Sequence, residues 1–327
     1  MILSRADQMP INEDDSALIF ENVSKSYDEI QALNSVSFQI PKGSIFGYIG
    51  PNGAGKTTTI KIIVGLIRDF EGDVFFNGQR VSELGTNVYR NLGYLPQAVG
   101  FQEWRTVDQM LTTFGRLSGL SKSQTETRIQ EVLELVSLHD IGDRKISHLS
   151  GGMQQKLRLA QALLHEPEFL ILDEPMSGLD PTSRYQVKSI LKNLSTAGVT
   201  ILFSSHILGD VQNIATLIGI LNKGTLMHVG TPQEIQSTFQ VGHDIEIVVA
   251  DGSPLCKNLD GIEGIDYVEH VSDKKQILHL QSGADVDLII RSSIERMLNE
   301  GCQIRNLNLV QPSLEEVYIK YVEGDGE

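Results

Sequence analysis

Cysteine is nearly absent: Cys256 and Cys302 are the only two in 327 residues. They stand in no CxxC pattern and suit a reduced compartment, where they read as inert buried thiols, with a regulatory disulfide as the other reading. Positive charge is scarce too, with 27 Lys and Arg against 42 Asp and Glu for a net charge of −15. That balance argues against general nucleic-acid binding, which needs clustered basic side chains on phosphates. The deficit is uneven: residues 241–327 hold 17 acidic and 7 basic side chains, a net −10. No uninterrupted apolar run reaches the roughly 18 residues of a membrane span. The best apolar stretch, IATLIGILNKG, reads as a core strand. The polar, acidic start MILSRADQMPINEDDSA lacks the apolar centre of a secretory signal. These absences predict a cytoplasmic chain with no direct membrane insertion, whose membrane link comes through a partner. Aromatic residues are few, at 6 %.

What is present points to phosphate chemistry. Gly50, Pro51, Asn52, Gly53, Ala54, Gly55, Lys56, Thr57 and Thr58 form GPNGAGKTT, a GxxxxGK[ST] loop between a predicted strand and a predicted helix. Glycines let the backbone curl so that N–H groups point inward, Lys56 reaches the β- and γ-phosphates, and Thr57 offers a hydroxyl to Mg²⁺. A buried-looking strand, FLILDEP over Phe169–Pro175, ends in two carboxylates. Asp173 is expected to hold Mg²⁺, and Glu174, pointing elsewhere, to polarise the attacking water. A second serine–glycine turn, HLSGGMQQK over His148–Lys156, also opens a predicted helix but carries no lysine at the loop. One nucleotide does not need two cradles.

Around these motifs the pattern alternates. Residues 1–16 read as a flexible tail. Strands are predicted at Ala17–Val23, Ser35–Ile40 and Ser44–Gly50, and again at GDVFFNG, FLILDEP, TILFSSH and LIGILNKG. Helical spacing dominates about 101–165, with Ser121 as a capped start near Thr125 and Glu126. Strands interleaved with helices argue an α/β fold with a largely parallel sheet. After Gly242 four strands and the helix VDLIIRSSIERMLNEG suggest a split β-α-β-β-α-β unit over 241–327, with a short first helix near Leu255–Leu259. A last helix is expected from Ser313, with Glu316 three residues on.

The order of motifs over about Ala17–Gln236 resembles the ATP-binding subunits of ABC transporters. LSGGMQQ is similar to that family's signature, SGLDP (Ser177–Pro181) to its D-loop, Gln97 in GYLPQ to its Q-loop glutamine, and His206 in FSSH to its switch histidine. Tyr27, 23 residues before Gly50, matches the aromatic that stacks on adenine. Met153 and Met176 depart from the commonest family residues without touching the carboxylates. The resemblance implies a P-loop NTPase core at 17–236 with an antiparallel β subdomain and a helical subdomain, and a small ferredoxin-like C-terminal domain. It implies ATP and Mg²⁺ as cofactors, with Thr57, Gln97 and Asp173 around the metal and Glu174, His206 and Gln97 in catalysis.

The second cradle then serves a partner. In the family two subunits pair head to tail, and Ser150, Gly151 and Gly152 close on the γ-phosphate held by the other subunit, with Asp180 at the same seam. The partner is a second copy or a homologous ATPase subunit. The C-terminal PSLEEVYIKYVEG resembles ATPases that serve exporters, so a separate transmembrane permease is expected, contacted near Phe101 and Trp104, where Trp104 reads equally as interface or core. A soluble ABC ATPase of translation or DNA maintenance is the rival. It lacks support because the chain has one lysine loop, no basic run and no coiled-coil insert. An importer ATPase is a further alternative.

Overall fold

The computed structural model describes residues 15–81, 83, 90–97, 100–238, 244–256, 258–281 and 283–310. The expected helix from Ser313, most of the N-terminal tail and residues 241–243 lie outside this set. The chain divides into two compact units, Met1–Pro232 and Gln233–Glu327.

In the first unit, β1 (Ser16–Tyr27), β2 (Ile30–Pro41), β4 (Glu71–Phe76) and β5 (Gln79–Arg80) form an antiparallel sheet in the order β2-β1-β4-β5. The strand begins at Ser16, one residue before the predicted start, and runs on to Tyr27, four residues past Val23. The extension arises because the hairpin closes tightly, pairing Tyr27 with Ile30. Against this sheet lies a six-stranded one, ordered β10-β9-β3-β8-β7-β6. Its strands are β3 (Ile45–Ile49), β6 (Leu92–Leu95), β7 (Phe169–Leu172), β8 (Thr200–Ser205), β9 (Leu217–Asn222) and β10 (Thr225–Gly230). All pairings are parallel except that of edge strand β10. β3, β7, β8 and β9 are buried along their whole length, as a sheet covered on both faces requires.

Six of the aromatics pack where the sheets meet: Phe20, Phe38, Phe46, Tyr48, Phe76 and Phe169. Phe20 of β1 stacks on Phe38 of β2 at 5.1 Å between ring centroids, and Phe38 on Phe46 of β3 at 5.2 Å. Burying each such ring contributes roughly 1.5–3 kcal/mol. A scarce residue type therefore fastens one sheet to the other.

Helices α1 (Lys56–Ile63), α2 (Val107–Leu117), α3 (Lys122–Leu135), α4 (Gly151–Leu163), α5 (Pro181–Thr196) and α6 (Leu208–Val211) complete this unit. Ser121 does cap α3, but its reciprocal partner is Gln124, three residues on, in a capping box. Thr125 is buried and donates its hydroxyl back to the Ser121 carbonyl. Helix α7 (Pro232–Thr238) follows β10.

In the second unit β11 (Asp244–Val249), β12 (Ile265–Ser272), β13 (Lys275–Leu280) and β14 (Ile304–Val310) make an antiparallel sheet ordered β12-β13-β11-β14, with α8 (Val286–Asn299) between β13 and β14. This is the strand order of a ferredoxin-like unit. Among the described residues near Leu255–Leu259 the expected first helix is not found. A single 3-10 turn, Leu259–Gly261, takes its place. Pro254 before it and Gly261 within it leave too few residues to offset helix nucleation.

Candidate functional site

The carboxyl ends of β3, β7 and β8 lie side by side, because Ile49 pairs with Ser205 and Leu172 with Phe203. Ligands of open parallel sheets bind at such strand ends. The glycine-rich loop leaves β3 here and enters α1. Gly55 is the N-cap at φ +111°, and a Cβ there would lie 2.5 Å from the Ala32 carbonyl oxygen, so only glycine fits. It has no side chain to cap α1, so the first-turn N–H groups face the loop, as an anion site requires. The buried Lys56 ammonium turns into the same loop and donates to the carbonyls of Gly50 at 2.7 Å and Pro51 at 3.2 Å. Burial lowers its pKa, against the opposing charges of Glu174 and Asp173.

Both acids at the end of β7 reach this place. Asp173 is 1 % exposed. Ser204 of β8 donates its hydroxyl to Asp173 Oδ1 at 2.7 Å and accepts from the Glu174 N–H at 2.9 Å. Sequence reading missed Ser204. Its signal was the pair of serines, Ser204 and Ser205, that ends the strand TILFSS after three apolar residues. Glu174 takes φ +53°, a left-handed backbone uncommon for a side-chain-bearing residue. Glu174 Oε2 lies 2.8 Å from His206 Nδ1, and Oε1 lies 3.8 Å from Lys56 Nζ. A carboxylate only accepts, so His206 Nδ1 carries the proton in this bond. Gln97 is exposed, two residues beyond Leu95, whose carbonyl accepts from the Asp173 N–H at 2.8 Å. Lys56, Asp173, Glu174 and His206 thus converge, and Gln97 emerges beside them. The neighbouring Tyr94 hydroxyl is pushed up to about 12 by burial and the Asp173 charge.

The second cradle is built separately. Ser150 caps α4, its hydroxyl oxygen accepting from the Met153 N–H at 3.3 Å. Among the described residues no hydrogen bond joins Ser150, Gly151 or Gly152 to Gly50–Thr58. Asp180 caps α5, accepting from the N–H groups of Thr182 and Ser183 and from the Ser183 hydroxyl at 2.6 Å. That hydroxyl holds the Asp180 carboxyl below its ordinary range. The two helix starts touch, since a Cβ on Gly152 would stand 2.4 Å from Ser183 Oγ. Gln155 of α4 donates to the Pro175 carbonyl at 2.7 Å, linking this helix to the segment that follows Glu174. In the same way buried Asp210 of α6, just past His206, pairs with Arg184 at 3.5 Å and Lys188 at 3.0 Å on α5. Neither link was visible in the sequence, where the partners stand 20 or more residues apart.

Gly152→Ala is therefore expected to cost about 1–3 kcal/mol through overpacking. Ser183→Ala in the same chain should recover most of the loss, because it removes the oxygen that clashes. Urea unfolding of the single and double variants measures this. Equal stability of Gly152→Ala and wild type would remove the close approach as the reason for glycine.

Tyr27 and Trp104, aromatics singled out in the sequence for ligand or partner contact, are both exposed. Tyr27 stands at the end of β1 with the Lys25 ammonium 4.9 Å from its ring. Trp104 is 67 % exposed, with the Arg105 guanidinium 5.1 Å from its ring, so the core reading is wrong and a surface role is left. Phe101 is half-buried, near the Arg158 guanidinium.

Residues 33–177 match the family profile described as ABC transporter. The uncharacterized ABC transporter ATP-binding protein YxlF of Bacillus subtilis is 36 % identical over 306 residues, 93 % of this chain and 99 % of that protein. The linearmycin resistance ATP-binding protein LnrL of Bacillus subtilis is 30 % identical, over 91 % of this chain and 96 % of its own length. Nod factor export ATP-binding protein I of Cupriavidus pinatubonensis is 31 % identical, over 84 % and 88 %. Among solved structures, an ATP-binding subunit of an ABC transporter aligns at a TM-score of 0.62 and 31 % identity, over 68 % of this chain and 93 % of that one. An ATP-binding cassette in its ADP conformation aligns at 0.62 and 26 % identity, over 68 % and 95 %.

Proposed function

Because the chain belongs to the ABC transporter family, as an ATP-binding subunit that hydrolyses ATP, we propose that it powers export through a separate membrane permease. The observation that carries this reading is the cluster at the strand ends of buried Lys56, Asp173 and Glu174 with exposed His206 bonded to Glu174, and a second cradle built elsewhere on the chain. Glu174 is the general base: it takes a proton from water as that water attacks the γ-phosphorus. His206 fixes the Glu174 carboxylate through Nδ1–H. Lys56 and the α1 N-terminus bind the phosphates. Tyr27 stacks on the adenine.

Thr57, Asp173 and Gln97 would hold Mg²⁺. These donors are all oxygens, as a hard cation prefers, and Ser204 already orients one of the Asp173 oxygens. The metal would neutralise charge on the β- and γ-phosphates. Ser150, Gly151 and Gly152 complete the site of a second subunit, and Asp180 keeps the adjoining helix start in register with them. ATP joins the two subunits and hydrolysis separates them, a two-state element biased by the γ-phosphate.

No helix among the described residues is long and apolar enough to cross a membrane. The permease is therefore a separate polypeptide in this reading, docked at the surface around Trp104. An exposed tryptophan beside arginine has the composition of an interface anchor. Export, rather than import, is supported by relatives named for linearmycin resistance and Nod factor export. The domain division follows the same reading, with the ATPase at 17–236 and an accessory domain at 241–327.

The test is recruitment. Expressed alone, the chain is expected in the supernatant after membrane sedimentation. Co-expressed with its permease, it should sediment with membranes through a high-salt wash. Trp104→Ala should lower that retention at least about tenfold, the loss of a hot spot worth 1.4 kcal/mol or more, while ATPase activity of the lone chain persists. Salt-resistant binding to protein-free vesicles, or no recruitment by the permease, would overturn the assignment.

A further inference from the structure

The two cysteines that the sequence leaves unrelated are brought together in the second unit. Cys256 lies in the loop after β11, and Cys302 lies 46 residues later, just before β14. Both are buried, at 1 % and 3 % exposure. The end of α8 places the second thiol. Gly301 takes φ +76°, the Gly301 N–H bonds the Leu298 carbonyl, and the Cys302 N–H bonds the Met297 carbonyl. This is a Schellman ending, and it fixes Glu300 and Cys302 on either side of the glycine. The Cys256 thiol is hydrogen-bonded to Glu300, and the Cys302 thiol to Cys256. One ligand atom from each of Cys256, Glu300 and Cys302 falls within 4.8 Å of the others. Asn258 holds the carboxylate in place, its Nδ2 donating to Glu300 Oε1 at 3.1 Å, and its own carbonyl accepts from Arg296.

We infer that Cys256, Cys302 and Glu300 form a binding site for a borderline-soft divalent cation of the zinc type, unconnected with the ATP site. Two sulfurs and one carboxylate are a zinc donor set, whereas magnesium and calcium need oxygen ligands. Three converging donors close three corners of a tetrahedron. A tetrahedral ion would need one further ligand, which solvent can supply because Glu300 is exposed. Asn258, by bonding the carboxylate, is a second-sphere orienting group. Burial raises both thiols, Cys256 to about 12, so they are protonated at neutral pH, and each releases its proton to solvent as its metal–sulfur bond forms. The site bridges the loop after β11 and the end of α8, and a bound cation would staple those segments across the unit's hydrophobic core.

The experiment is a Co²⁺ titration of the full, nucleotide-free chain after chelation, in a non-thiol reductant. The expected result is about one equivalent bound, a thiolate-to-cobalt charge-transfer band, ligand-field bands of tetrahedral intensity, and displacement by Zn²⁺. Cys256→Ser and Cys302→Ser should each abolish the charge-transfer band. Glu300→Gln, on an exposed side chain that leaves the core untouched, should weaken binding about 10- to 100-fold with the thiolate band retained. Zn²⁺ should raise the thermal midpoint of the wild type and not that of Cys256→Ser. No thiolate band at equimolar Co²⁺, or a band that survives Cys256→Ser, overturns the site. So does a wild-type chain whose thiols merely pair as a disulfide when the reductant is withdrawn and give no cobalt band when it is restored.

Discussion

The Glu174→Gln variant should bind ATP with nearly wild-type affinity and lose almost all turnover. The amide has the shape of the carboxylate and keeps an oxygen for the His206 Nδ1–H, at the position of the present 2.8 Å bond. It cannot take the proton of the attacking water. Loss of a general base costs about 10²–10⁴ in rate, roughly 2.7–5.5 kcal/mol in the barrier. The phosphate donors of the glycine-rich loop stay in place, because Lys56 is held by the carbonyls of Gly50 and Pro51 and loses only its 3.8 Å ion pair with Glu174. The variant should therefore accumulate the ATP-bound state, and with hydrolysis blocked the paired subunits have no release step. Gel filtration with ATP and Mg²⁺ should show a dimer that wild type forms only transiently. A variant that turns over at more than about a tenth of the wild-type rate would remove Glu174 as the base.

Much of this site was legible because its chemistry is local in sequence. The loop from Gly50 to Thr58 needs its glycines and its lysine within nine positions, and the carboxylates need a buried strand directly before them. The parts that sequence reading missed act across strands or between helices. Ser204 reaches Asp173 from the next strand, 31 residues away, and Gln155 of α4 reaches Pro175 in the loop after β7. No period or spacing encodes such pairs. The short strands β6 and β10 went unseen for another reason: four residues, or six half-exposed ones, give too little alternation. Capping was legible as a cap at Ser121, but not its partner, since Gln124 and Glu126 both look suitable until the helix start is placed. Cys256 and Cys302 illustrate the same limit. Their meeting depends on strand order and a helix ending, neither of which leaves a CxxC trace.

Ser150→Asp should separate ATP binding from subunit pairing more cleanly than any bulky substitution. Ser150 has a structural duty, since it caps α4 through the Met153 N–H. Arginine at this position would remove that cap, at about 1 kcal/mol, and so confuse a folding defect with a pairing defect. Aspartate is as good an N-cap as serine and suits the positive end of the helix, so α4 stays formed. It also loses the hydroxyl donor and sets a negative charge where the partner's γ-phosphate must dock. If the second cradle served its own chain's nucleotide, ATP affinity and turnover would fall together. In the shared-site reading they part. Lys56, Thr57, Tyr27 and Asp173 still hold ATP in each monomer, so its affinity changes little. Each dimer loses two hydrogen bonds to a charged group, worth roughly 1.5–3 kcal/mol apiece, so pairing should weaken by about 10²–10⁴ before repulsion is added. Nucleotide titration, ATPase rate and dimer formation in the Glu174→Gln background give the three readouts. A Ser150→Asp chain that still dimerises with ATP, or one that loses nucleotide affinity in step with turnover, would leave the serine–glycine turn without a role at the partner's phosphate.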